Sequence, residues 1–394
     1  MGAACSTSVG FKYRILKSYF KGSECLTFRE VIGLLPRSSA SFPPVILVGE
    51  NHDWNESENK LFHVVDEIFV YASSQRRYKT RCATLFQAMK KTVSDCDHPE
   101  SKVVFFIEDK PRDYGVSSRN FKPTGDDRFF IHRERERTEH MASRYSGGIQ
   151  TIGIDIFHLS RLSIIRDPNG LAASDTFENS LMEIRQAFKT RQPSTFTNDE
   201  RFGAAMKEVQ PIFEIAHQQN QTSSEQFSKY ERIVAENNAR SEHNISVNDL
   251  IQVRWIAIFA LVYIERLRTT LDKDLARIQL EISYIISRIT TDTGAYSYTG
   301  EIFYFMTLVG DALAYCLFVR PLFVRSGNIL VFYTGSLHTM NLNRWLSYGG
   351  YREDFCRSAR KLTDIYKDMP EGPDVRRHDV DDPNLSAEYA SQLF

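Results

Sequence analysis

Four short apolar runs stand out along the chain, the first closed by Gly49 and the second by Glu108. They are Val45–Val48, Val103–Ile107, Thr151–Ile156 and Ile329–Tyr333. The apolar positions are continuous rather than alternating, the pattern of strands buried on both faces of a parallel sheet. Between them the period lengthens. From Ser57 to Ala72, Leu61, Val64, Val65, Ile68 and Phe69 fall on one side of a helix that Ser57 can cap. The pattern predicts an α/β fold: a mostly parallel central sheet flanked by helices, with a large helical insertion over 166–320 before the last strand.

Within that insertion, Asp249–Leu271 carries ten uncharged residues between Arg254 and Glu265, too few to span a bilayer. Ile302–Val319 has a single charge, Asp311, and reads as a buried helix. Segments 194–226 and 237–248 are polar and predict surface helices and loops. The alternating charges of 132–140, inside the glycine-bearing stretch 112–148, predict a solvated face or loop, or else a lid with arginines for an anionic substrate. The expected organisation is an N-terminal segment (1–40), the first part of the α/β core (41–165), the insertion, the last strand and helix (321–369), and a loose tail (370–394).

Composition narrows the class. The 394 residues include 49 basic and 50 acidic side chains, a formal net charge of −1, and no basic excess for a nucleic-acid partner. The six cysteines include no C-x-x-C pair, which disfavours a zinc ribbon or a disulfide framework. Lys12, Arg14, Lys17 and Lys21 interrupt any apolar core of a secretory signal, so the expectation is a reduced compartment and no secretion. Nucleotide-binding glycine loops and EF-hand loops are absent from the sequence.

The first residues, Met1-Gly2-Ala3-Ala4-Cys5-Ser6, fit N-myristoylation at Gly2. One acyl chain anchors only marginally, so a second signal is expected: palmitate on Cys5, or the basic and aromatic stretch Phe11–Lys21. That stretch can equally pack on the domain. The corresponding expectation is attachment to a cytoplasmic membrane leaflet or the inner face of a virion envelope.

Candidate chemistry gathers at two strand-to-helix corners. Gly49-Glu50-Asn51-His52-Asp53 follows the first strand and Gly335-Ser336-Leu337-His338 follows the last, both reading G-x-x-H. Loops at the carboxyl ends of parallel strands line the ligand crevice, and glycine there is expected to allow a sharp turn. Glu108 closes the second strand and Asp155 lies in the third. Glu50, His52, Glu108 and His338 are thus the candidate catalytic residues. Asp53, Asp155 and Asp311 are candidates for binding a small-molecule or peptide substrate. His52, His338 and Glu108 could hold a divalent metal (zinc, manganese or cobalt); without metal, a histidine oriented by a carboxylate serves as general base. The remaining histidines (His63, His98, His158, His217, His243 among them) fit no constellation.

G-E-x-H after the first strand, an acid after the second and G-x-x-H after the last resemble the TIKI/erythromycin-esterase/ChaN-like superfamily, which also includes TraB proteins and a Pasteurella toxin domain. Gly49, Glu50, His52, Glu108, Gly335 and His338 carry the resemblance, and Asp53 adds the G-E-x-H-D form of the ChaN branch. It implies an α/β core with a helical insertion and ester or amide hydrolysis, metal-dependent in some branches; the ChaN branch implies haem. A non-enzymatic membrane scaffold of virion type and a haem or small-ligand carrier are the alternatives.

Overall fold

The computed structural model describes residues 10, 13–14, 16–17, 29–37, 42–50, 103–109, 112–114, 149–156, 184–185, 187–188, 209–240, 246–290, 298–323 and 327–357. Gly2, Cys5, His52, Asp53, the 57–72 helix, the charged run 132–140 and the 370–394 tail lie outside them, as does the side chain of Glu50.

Among the described residues seven strands form one mixed sheet: β1 (Arg29–Pro36), β2 (Val45–Glu50), β3 (Val103–Ile107), β4 (Arg112–Tyr114), β5 (Ile149–Gly153), β6 (Ile329–Gly335) and β7 (Tyr351–Arg357). Their spatial order is β4-β5-β3-β6-β2-β1-β7. The middle four, β5-β3-β6-β2, are parallel, and β4 on one side and β1 on the other pair antiparallel with them. The class is α/β, with antiparallel strands added outside the expected parallel core. All residues of β3 and β6 are buried, which is why both read as unbroken apolar runs. Phe106 and Phe332, paired in register, stack at 4.5 Å between ring centroids. The third predicted strand is displaced: β5 ends at Gly153, so Asp155 follows the strand instead of lying in it.

In sequence, five described helices fall between β5 and β6: α1 (Val209–Gln219), α2 (Ser224–Arg240), α3 (Val247–Leu267), α4 (Lys273–Thr290) and α5 (Tyr298–Ala314). The polar 194–226 and 237–248 stretches contribute α1 and α2. A capping box starts α3: Asp249 N–H donates to Ser246 Oγ, and Ser246 N–H donates to Asp249 Oδ2 at 2.7 Å. A π turn (Tyr315–Val319) and a 3-10 turn (Arg320–Leu322) continue α5. Both α3 and the stretch Tyr304–Leu322 are long and apolar enough to cross a membrane, yet 78% and 94% of their apolar windows are buried within the protein. They are built as core helices. After β6 comes α6 (Ser336–Tyr348).

The chain divides into two compact units. One holds the seven strands and α6 to Asn343; the other holds helices α1–α5 and the end of α6 from Arg344. In the helical unit Glu281, 1% exposed, is a hub: its carboxylate accepts from Arg277 Nε, from Arg344 Nη2 at 2.7 Å and from Trp345 Nε1 at 3.0 Å. A second hub is Arg320, which donates to Asp272 and, at 2.8 Å, to Asp274; Asp274 also accepts from the Tyr315 hydroxyl at 2.8 Å.

In the sheet unit, residues 10, 13, 14, 16 and 17 are helical, and Tyr13 and Leu16 are buried. Tyr13 Oη donates to Asp354 Oδ2 at 3.1 Å, and Lys17 Nζ donates to the same oxygen at 2.6 Å. Burial, with the charge and hydrogen bond of Asp354 behind it, pushes the Tyr13 phenol above its ordinary range. Of the two roles open to the basic stretch, packing on the domain is the one these residues adopt here.

Candidate active site

Strand register brings the starting residues of the two G-x-x-H corners side by side. In the parallel β2–β6 pair, Gly49 stands opposite Thr334 and Glu50 opposite Gly335, so both corners leave from neighbouring strand ends at one level. Their glycines do not work as sharp turns. Among the described glycines only Gly350 has a positive φ, and β6 passes directly into α6 at Ser336. Gly49 is required for a different reason: a Cβ there would lie 2.9 Å from Thr339 Oγ1 and 3.1 Å from Thr339 Cβ. Thr339 is itself fully buried, with its hydroxyl 3.1 Å from that of Thr334. Gly49 therefore lets the first turn of α6 approach the end of β2, and that first turn carries His338.

Glu108 directly follows β3, the other neighbour of β6. Its backbone N–H donates to Tyr333 O at 3.0 Å, extending the β3–β6 ladder by one rung. Its side chain turns toward the start of α6, where Oε2 accepts the Gly335 N–H at 2.5 Å. A carboxylate is well placed there, because unpaired N–H groups and the positive end of the helix dipole meet at that end. His338 Nε2 lies 3.6 Å from the same oxygen. That is longer than a hydrogen bond, and the contact is an ion pair when the imidazole is protonated.

Asp155 joins them. One donor atom from each of Glu108, Asp155 and His338 lies within 4.8 Å of the other two, and all three residues are buried, at 5–7% exposure. Covalent geometry accounts for its placement: β5 pairs with β3, and two residues of extended chain past Gly153 reach at most about 7 Å.

Two carboxylates and one imidazole suit a divalent cation. They are hard oxygen donors with one borderline nitrogen, they leave positions open for water, and together they bring negative charge into a buried place. The donor set fits zinc or manganese, whereas haem iron is held by His, Cys, Met or Tyr and not by paired carboxylates. Of the residues singled out in the sequence, the structure brings together Glu108, Asp155 and His338. Asp311 is buried on α5 but does not belong to this group; its charge acts on Tyr304, whose phenol burial raises. Asp155, a substrate-binding candidate in the sequence, supplies a donor atom beside Glu108 and His338, while His52 lies outside the described residues. Thr339 is the residue that sequence reasoning missed. Its one visible signal was its position directly after the histidine, facing a strand-end glycine.

Set against known proteins, the chain matches no family model, no curated protein and no solved structure. The site is therefore read from its own geometry.

Proposed function

We propose that the protein is a hydrolase of esters or amides whose buried Glu108–Asp155–His338 group holds a divalent cation. The observation that carries this reading is the convergence of those donor atoms within 4.8 Å at the carboxyl ends of adjacent parallel strands, where open α/β sheets place their ligands. The bound ion supplies Lewis-acid polarisation and an activated water. The protein's own contribution is positional. Gly335 N–H fixes Oε2 of Glu108, the β3–β6 ladder fixes its backbone, and the Gly49–Thr339 contact fixes the turn that presents His338. Glu50, whose backbone stands opposite Gly335, and His52, two residues further along the chain, are assigned to the same site as carboxylate and general base. Relationship to the TIKI/erythromycin-esterase/ChaN-like superfamily, with 166–320 as its helical insertion, is part of this proposal.

The test is a panel of nitrophenyl esters and fluorogenic peptides, assayed with zinc, manganese or cobalt and with EDTA. Turnover that disappears in EDTA and in His338→Ala, while the melting temperature stays within a few degrees, is the expected result. Turnover absent under every metal, or undiminished in His338→Ala, refutes the assignment.

A further inference from the structure

The segment Phe11–Lys21 contains four basic residues, six apolar or aromatic ones and no acid, a composition that suits an anionic lipid surface. Its described residues are engaged elsewhere. Tyr13 is 4% exposed and Leu16 fully buried in the sheet unit. The Tyr13 hydroxyl lies 2.5 Å from where a Cβ on Gly33 would be, so β1 leaves a notch for it. Lys17 Nζ stands 5.5 Å from the centre of the Phe355 ring. Arg14, in contrast, is exposed.

The anchor for this docking is a β-bulge. In the β1–β7 pair, Gly33 stands opposite Phe355 and Leu34 opposite Glu353, which leaves Asp354 as the extra residue. Bulges re-aim side chains, and here Asp354 receives both Tyr13 and Lys17 on one oxygen. Tyr13 is thus spent on β1 and β7, Leu16 is buried, and one cation, Lys17, is spent on Asp354.

We infer that Tyr13, Leu16 and Lys17 belong to a latch with two mutually exclusive seats, the sheet unit beside β1 and β7 and an anionic lipid surface. Tyr13, Leu16 and Lys17 cannot serve both at once. Two side chains that an interfacial segment would insert among lipid headgroups, Tyr13 and Leu16, are buried, and the Lys17 ammonium that would meet a phosphate is paired with a carboxylate. Lipid binding must then release the latch and uncover β7, and weakening the seat on β7 must strengthen lipid binding by the same factor. This inference is independent of the hydrolase assignment.

The experiment uses the full chain and vesicles of phosphatidylcholine with or without 30% phosphatidylserine (on the order of the anionic content of a cytoplasmic leaflet). Amide hydrogen exchange is followed by mass spectrometry, and binding by sedimentation. The expected result is faster exchange in 31–33 and 351–357 with phosphatidylserine vesicles only, together with roughly tenfold tighter binding by Asp354→Asn, a factor worth about 1.4 kcal/mol of lost docking. Binding that leaves exchange in β7 unchanged overturns the inference, as does an Asp354→Asn variant that binds no more tightly than the parent. Absence of vesicle binding by both proteins overturns it too. Exchange in the parent needs no substitution, so misfolding of the variant would not obscure the answer.

Discussion

Replacing Glu108 by Gln separates a metal-site carboxylate from a structural helix cap. The amide keeps the shape and an oxygen to accept the Gly335 N–H, now 2.5 Å from Oε2. The loss is that of a charge-assisted bond turned neutral, about 1 kcal/mol. Against this stands the relief of repulsion with Asp155. Two carboxylate oxygens within 4.8 Å repel by on the order of 3 kcal/mol at an effective dielectric of about 20. The metal-free protein should therefore be unchanged or stabilised by up to about 2 kcal/mol, as buried like charges are costly without a counter-charge. With manganese or zinc at a hundred times the dissociation constant, the parent gains about 2.7 kcal/mol. Spread over an unfolding entropy of about 2.1 cal/mol/K per residue, that is roughly a 3 °C rise if the chain melts as one unit. Glu108→Gln should lose this rise. Thermal melts at pH 8, with EDTA and with each metal, give all four numbers. Glu108→Ala is the control: it leaves a buried N–H without its acceptor and should cost about 1–3 kcal/mol. A Glu108→Gln protein that still shows the full metal shift, or that melts as low as the alanine variant in EDTA, refutes the reasoning.

Three further outcomes are expected. Glu281→Ala removes the carboxylate shared by Arg277, Arg344 and Trp345 and should cost about 3–5 kcal/mol, with Glu281→Gln costing clearly less; urea midpoints measure both. Cys356 is exposed, but burial of its sulfur with Glu353 and Glu30 nearby pushes its thiol up to about 11. Peptide-resolved alkylation at pH 8 should be on the order of a hundredfold slower than for an ordinary cysteine, and faster in Glu353→Gln. For Asp272, burial raises the carboxyl, but Arg320 and the Thr269 hydroxyl and N–H together hold it below its ordinary value. A depressed folded-state value gives stability that is present above the unfolded value and lost as pH falls through the folded one. Urea midpoints should thus fall less steeply between about pH 5 and 2 in Asp272→Asn than in the parent, and equal slopes would contradict the pairing.

What could be read from the residues divides along the sheet. Strands buried on both faces announce themselves, so Val103–Ile107 coincides with β3 residue for residue and Ile329 with the start of β6. Strands outside that core do not. In β7, Tyr351 and Phe355 are buried while Arg352, Glu353 and Cys356 are exposed, a spacing of four that looks like neither a strand nor a clear helix. The bulge at Asp354 is the physical cause: one extra residue shifts the alternation by one place. Similarly, β1 contains Gly33 and ends at Pro36, residues that usually interrupt strands. Gly33 is there because Phe355 and Tyr13 occupy the space of its side chain, a long-range fact no local pattern carries.

The same distinction explains the site. Glu108 and His338 were legible because each sits at the end of an apolar run, and parallel neighbours bring their ends together whatever the intervening length. Asp155 was legible as a residue but not as a donor, since its run of Ile and Gly disguised where β5 stops. The role of the glycines was misread because G-x-x-H invites a conformational explanation, whereas Gly49 answers a packing demand from Thr339. That difference has a consequence of its own. If Gly49 served a turn, Gly49→Ala would strain the backbone of the first corner alone. As a packing residue, it should displace Thr339, and with it the turn of α6 that presents His338. A Thr339→Ser variant, which removes the methyl 3.2 Å from the would-be Cβ, should then recover part of the metal affinity lost in Gly49→Ala. A backbone-strain role predicts no such rescue.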